Sequence, residues 1–328
     1  MSVTDQSPES APFSPLPQRR PTSANGDNAT SPGLPQRFPG APEDNGSPSL
    51  PRRASGGRPR RVGRHRSLHR ISVASDAPAL VLAVPGWGEA TADLASSVAE
   101  SAASSCPGVD IRIGYLNGST DTLADALADA LAAEADPRSQ HGPRAVVVPL
   151  LAGPHPVHDA AIAAAISAAT APVMLATALG PHPLLAGALH DRLHEVGLAR
   201  ASRARGLNIA AGATGIIVVA DRGPQAVADA GVTTVLLAAR LAVPAAPASL
   251  GDPASIDAAV QRLRETGATH LTLSPCVVGP ETDPAEFAML SGALNAPCAP
   301  PVGAHPAIAQ LVAVRYGEAL TRIAVASH

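Results

Sequence analysis

The 328-residue chain contains no lysine, and all 24 of its basic residues are arginine. That excludes Schiff-base chemistry at a lysine amine and the lysine of a phosphate-binding P-loop. Aromatic residues make up 2% of the chain, too few for base-stacking surfaces or aromatic carbohydrate platforms. The three cysteines, Cys106, Cys276 and Cys298, are far apart and odd in number, which gives neither a disulfide framework nor a zinc knuckle. No apolar run approaches the roughly 20 residues of a membrane helix, since AVVVPLLAG is short and interrupted by Pro149. The start MSVTDQSPESAPF has neither the basic nor the apolar block of a signal peptide. A cytoplasmic protein with no membrane contact is expected.

What is present falls into two kinds of sequence. Residues 1–76 are rich in Pro, Ser, Gly and Arg and carry almost no periodic apolar pattern, so they cannot bury enough surface to offset chain entropy and read as a disordered arm. Up to Ser75, eleven arginines stand against Asp5, Glu9, Asp27, Glu43 and Asp44, a formal +6 that leaves −9 on the rest. The stretch RRASGGRPRRVGRHR (52–66) has no aromatic interleaving and no recognition fold around it. It reads as a solvated tail, and nucleic acid is not expected as a partner.

From Pro78 the chain alternates strands and helices. ALVLAV (79–84) is a continuous apolar run suited to a buried parallel strand. VDIRIGYL (109–116), RAVVVPLLAG (144–153) and APVMLATAL (171–179) read as further strands. Helices fall between and after them, and Leu123, Leu127 and Leu131 mark an amphipathic one. The same order then recurs. TGIIVVA (214–220) matches the first strand, VTTVLLAARL (232–241) the second, and THLTLSPCVVGP (269–280) the third, while LGPHPLLAGALHDRL (179–193) and VGAHPAIAQLVAVRY (302–316) both pass from a small-residue turn through His-Pro into a helix. Pro149 aligns with Pro275, and Gly153-Pro154 with Gly279-Pro280. The expected fold is α/β: two tandem parallel-sheet repeats of flavodoxin-like strand order, over 77–203 and 204–328, facing a cleft.

In such a sheet ligands bind beyond the carboxyl ends of the strands where strand order reverses. In the first repeat the loops there are PGWGEAT (85–91) and AGPHPVHDAA (152–161). The second holds His155 and His158, with Asp159 opening a helix. Imidazole ligates divalent cobalt, iron, nickel or zinc and accepts protons near neutral pH, and a neighbouring carboxylate can hold its tautomer. The repeats diverge at His155, which aligns with Glu281. GWGEAT is not a GxGxxG fingerprint, so no nucleotide cofactor is expected.

The order strand, G-x-G loop, PLL-x-G-x-H-x-x-x-D, then LGPHP and a helix, given twice over about 79–325, resembles the sirohydrochlorin cobalto- and ferrochelatases, CbiX-like class II chelatases in a duplicated form. The resemblance implies a lyase that inserts Co²⁺ or Fe²⁺, as substrate, into a tetrapyrrole without ATP, in cobalamin or siroheme biosynthesis. It further implies two metal histidines, one after the first strand and one after the third. His155 matches the second; the first falls on Trp87, within Gly86-Trp87-Gly88-Glu89, where the family pattern reads A-H-G-S. An indole N–H has no lone pair for a metal, so Trp87 stacks on the macrocycle or fills the cleft. Glu89 supplies an oxygen ligand or base, or His158 or His182 supplies the second imidazole. The alternative function is a carrier or sensor of tetrapyrrole or metal that has lost catalysis. A single duplicated chain can close its own cleft, so a monomer is expected.

Overall fold

A computed structural model describes residues 77–86, 88–133, 142–198 and 213–326. The arm read over 1–76, Trp87 and nearly all of the linker read over 201–213 lie outside them. The run at 79–84 forms β1 (Ala79–Val84), buried along its whole length, since a parallel strand covered on both faces needs apolar side chains on both. It is followed by α1 (Glu89–Ser105), β2 (Ile111–Tyr115), α2 (Leu123–Ala133), β3 (Ala145–Pro149), α3 (Pro156–Ser167), β4 (Val173–Leu175) and α4 (Pro183–Glu195). The strands are parallel in the order β2-β1-β3-β4, the flavodoxin-like order expected. Alternate residues of β1 serve different cores. Ala79, Val81 and Ala83 meet Leu123, Leu127 and Leu131 of α2, whereas Leu80, Leu82 and Val84 face the other way.

The second half repeats this scheme with one strand fewer: β5 (Ala213–Ala220), α5 (Pro224–Leu241), β6 (Ala245–Ser249), α6 (Pro253–Glu265), β7 (Ala268–Pro275), α7 (Pro284–Leu294) and α8 (Pro306–Ala326), with parallel order β6-β5-β7. Pro275 pairs with Val219 as Pro149 pairs with Ala83, so the aligned prolines are equivalent in space. In place of a counterpart to β4 there is one bridge, between Leu273 and Cys298.

One sequence expectation is overturned here. VTTVLLAARL, read as a strand, is the C-terminal half of α5. Its β-branched Val232, Thr233, Thr234 and Val235 favour a strand by propensity. The buried positions Ala226, Ala230, Thr233, Thr234, Leu237 and Leu241 instead follow a helical stripe, and Val232 and Val235 face solvent. The strand is AAPAS, where Pro247 is tolerated because β6 is an edge.

The halves exchange their last helices. α4 packs on α5 and β7 of the second half, and α8 packs on α1, β3 and β4 of the first. One core therefore takes in Leu80 and Leu82 of β1, Leu185 and Leu189 of α4, Ile216 and Val218 of β5, and Leu311 and Val312 of α8, each such side chain contributing about 2 kcal/mol when fully buried. α2 and α3 cover the far face of the first sheet, and α6 and α7 that of the second.

The duplicated His-Pro phrase fixes this exchange. His182 Nδ1 accepts the Leu184 N–H at the start of α4, and His305 Nδ1 accepts the Ala307 N–H at the start of α8. Ten residues on, about 15 Å along a helix, each helix presents an arginine. Arg192 donates from Nε and one terminal nitrogen to Val302 O at 2.9 and 2.6 Å. Arg315 donates to Leu179 O at 2.9 Å. Leu179 and Val302 are themselves equivalent, and each arginine also pairs with a glutamate three residues later, Glu195 and Glu318. The motif His-Pro-x8-Arg-x2-Glu is thus a reciprocal clasp between the halves.

Candidate functional site

The carboxyl ends of the strands of both halves meet at the junction. The chain leaving β3 is held by the next unit, Leu179 N–H donating to Leu151 O and Gly180 N–H to Ala152 O. In the second half Val302 N–H donates to Val277 O and Gly303 N–H to Val278 O. Gly180 has to be glycine, because a Cβ there would collide with the Ala152 carbonyl. The loop after β1 abuts the loop after β7: a Cβ on Gly86, which has φ +74°, would stand 2.8 Å from Pro280 O. Gly223, after β5, faces Pro156 at ordinary van der Waals distance, a Cβ there standing 3.9 Å from the proline ring. Each half lays its first-strand loop on the other's third-strand loop.

His155 lies at one of these crossings. It is the N-cap of α3, with Pro156 at the first helical position, and its Nδ1 accepts the His158 N–H at 3.3 Å. Asp159 returns the bond, its Oδ2 accepting the His155 N–H at 3.1 Å, in the manner of a capping box. With Nδ1 accepting, the neutral ring carries its proton on Nε2. That atom lies 3.4 Å from Asp221 Oδ2, across the junction in the second half. The His158 ring packs against His155, tilted by 33° with centroids 4.2 Å apart. Burial, then the His155 charge, holds the His158 imidazole below its usual range, against the opposing pull of Asp221 and Asp159.

Asp221 directly follows β5. Its Oδ1 accepts the Arg222 N–H at 2.7 Å, and the Arg222 guanidinium pairs with Glu286. His155, Asp221, Thr233, Cys276 and Glu281 line one cavity of about 10 Å³, room for a single water-sized particle. Glu281 turns both carboxylate oxygens onto its own loop, accepting Val278 N–H at 2.5 Å and Gly279 N–H at 2.7 Å. Burial, aided by the Asp221 charge, raises its carboxyl to about 7 even though those N–H bonds act to lower it. Burial likewise pushes the Cys276 thiol up to about 12, so it is a neutral thiol. All three cysteines are free.

The residues singled out from the sequence are thus distributed over three places. His155 and His158 come together, and Glu281, aligned with His155, lines the same cavity. His182 does not line it; burial, then Arg315, lowers its imidazole against the pull of Glu318, which places its surroundings on α8. Glu89 opens α1 and lines a separate groove of about 640 Å³ with Tyr115, Asn117 and Asp121. Trp87 is outside the described residues. Asp221 was not singled out, and its signal was its place directly after the first strand of the second copy. Among the described residues, no three His, Cys, Asp or Glu side chains are grouped so as to hold a metal ion by themselves. Nor is any helix among them long and apolar enough to cross a membrane.

The fold is chelatase-like. SirB from Bacillus subtilis with Fe³⁺ matches at TM-score 0.51 and 16% identity, over 74% of this chain and 95% of that one. The sirohydrochlorin chelatase SirB from B. subtilis subspecies spizizenii in complex with cobalt matches at TM-score 0.52 and 15% identity, over 75% and 96%. No family model and no curated protein matches the sequence.

Proposed function

We propose that this protein is a sirohydrochlorin chelatase-like enzyme that places a divalent metal, Co²⁺ or Fe²⁺, into a tetrapyrrole without ATP. One observation carries the reading: in a chain of chelatase-like fold, His155 is aimed at Asp221 where the strand ends of the two halves meet. Metal and macrocycle are both substrates. The cavity of about 10 Å³ admits an ion but no macrocycle, so the tetrapyrrole lies outside it, against the loops. Arg222, half exposed beside Asp221, is placed to meet a substrate carboxylate. The ring has two pyrrole protons to lose as metal enters; the His155 imidazole, once the ion has left it, is suited to take one, and the Asp221 carboxylate beside it or solvent the other. His155 serves first as metal ligand and, once the ion has passed to the macrocycle, as proton acceptor, with the tilted His158 ring packed against it. Glu89, in its separate groove, and His182, at the start of α4, have no direct part in this scheme.

The test is the absorbance change of sirohydrochlorin on adding Co²⁺ or Fe²⁺, with and without protein. Wild-type protein accelerates insertion, and His155→Ala lowers the rate by about a hundredfold or more, the range of a lost acid-base group. Equal rates for the two proteins would remove His155 from the mechanism. A second reading, a carrier or sensor without catalysis, draws on the fact that His155 Nδ1 is occupied in capping α3. Binding of the macrocycle with no acceleration by either metal would select it.

A further inference from the structure

The cavity at the junction is small, yet two residues that line it, Asp221 and Thr233, each carry a buried polar atom with no hydrogen bond. Asp221 Oδ2 and Thr233 Oγ1 are both buried without a partner among the described residues, and their residues are 7% and 1% exposed. The His155 Nε2–H at 3.4 Å from Asp221 Oδ2 is too far to satisfy a carboxylate. Leaving a buried carboxylate oxygen in this state is unfavourable unless something binds it. Asp221 is the carboxylate that faces the cavity, since Glu281 turns both its oxygens onto its own loop, and the Arg222 guanidinium lies by the other Asp221 oxygen, 3.6 Å from Oδ1. An unbonded Oδ2 favours a cation over an anionic occupant. Carboxylate and hydroxyl oxygens beside an imidazole nitrogen suit a borderline divalent transition ion better than Mg²⁺ or Ca²⁺.

We propose that Asp221, reaching from the second half, is the anionic ligand of a divalent transition ion in this cavity, with Thr233 Oγ1 and His155 Nε2 as its companions. The proposal rests on the chelatase reading for the fate of the ion. Few protein ligands are an advantage for an ion that must leave, because open positions admit water and then incoming nitrogen donors. Ligation by His155 Nε2 requires the ring proton to move to Nδ1, with no net proton release. An Nδ1–H can no longer accept from the His158 N–H, so the ion binds at the expense of the N-cap of α3. The site therefore has a reporter that no assay of activity supplies, the His158 amide.

The full-length protein is titrated with CoCl₂ and followed by visible absorption, equilibrium dialysis and hydrogen exchange at the start of α3. The expected result is one Co²⁺ per chain, affinity at least tenfold lower in Asp221→Asn, and unchanged affinity in Asp257→Asn on the outer face of α6. Exchange of the His158 amide quickens when Co²⁺ binds. If Asp221→Asn is found unfolded by circular dichroism, Thr233→Val carries the same comparison with a smaller loss. Wild-type affinity in Asp221→Asn, or a His158 amide indifferent to Co²⁺, overturns the proposal. Insertion into sirohydrochlorin is measured in parallel. Co²⁺ binding that depends on Asp221 without insertion removes the chelatase reading and keeps the site. Insertion by Asp221→Asn at the wild-type rate does the reverse.

Discussion

Glu281 is the side chain whose protonation most directly reports the junction. Its carboxyl, raised to about 7 from an ordinary 4.5, keeps a proton in the folded protein that the unfolded chain has already released. Between those values the folded state binds more protons than the unfolded, so the stability this group confers is full below pH 4.5 and is lost as pH rises through 7. The histidines act in the opposite sense: the lowered His158 and His182 cost stability as pH falls below their ordinary 6.5. The group is isolated by comparing urea midpoints of wild type and Glu281→Gln from pH 4.5 to 8. The wild type should decline relative to the variant as pH rises, and a constant gap would show that Glu281 does not titrate in this window. His155 illustrates how far one residue can be read. Its loop and its place beside a reversal of strand order were legible in the sequence. The nitrogen it spends on α3, and the partner it finds 66 residues on, were not, because both depend on the angle at which α3 starts.

At the scale of elements the arginine clasps are the decisive contacts. Arg315 has a mostly buried side chain, and its loss leaves the Leu179 carbonyl without its donor. Arg315→Ala should cost about 2 kcal/mol, the usual worth of a hydrogen bond to a charged group, read as a lower urea midpoint at unchanged slope. Arg192→Lys should fail to rescue Arg192→Ala, since a single ammonium cannot reproduce the two N–H bonds to Val302 O. Full rescue would reduce the clasp to a charge effect. The motif His-Pro-x8-Arg-x2-Glu is visible twice in the sequence, so the equivalence of α4 and α8 was available there. That each helix lies on the other half's sheet was not, for an amphipathic stripe states that a face is buried and not against what. α5 shows the complementary failure. Its four β-branched residues and the leucines after them imitate a strand, and only the buried positions over the full helix, spaced three and four apart, reveal the period.

For the whole molecule, a core shared by both sheets implies that the halves do not unfold independently. Val218, on the second sheet, packs in the same cluster as Leu80 and Leu185 of the first half. Val218→Ala should therefore lower the midpoint of a single urea transition, with near- and far-ultraviolet circular dichroism remaining coincident. Two separated transitions would mean that each sheet holds its own core. The sequence by itself determined the α/β alternation from Ala79 onward and the parallel order of the first sheet, because these follow from local periodicity and from the handedness of strand-helix units. Only the tertiary structure decided that the halves trade helices and that His155 of one copy meets Asp221, Thr233 and Glu281 of the other. Contacts across a pseudo-symmetric junction join residues far apart in the chain, and no local pattern encodes which of two equivalent surfaces a helix will cover.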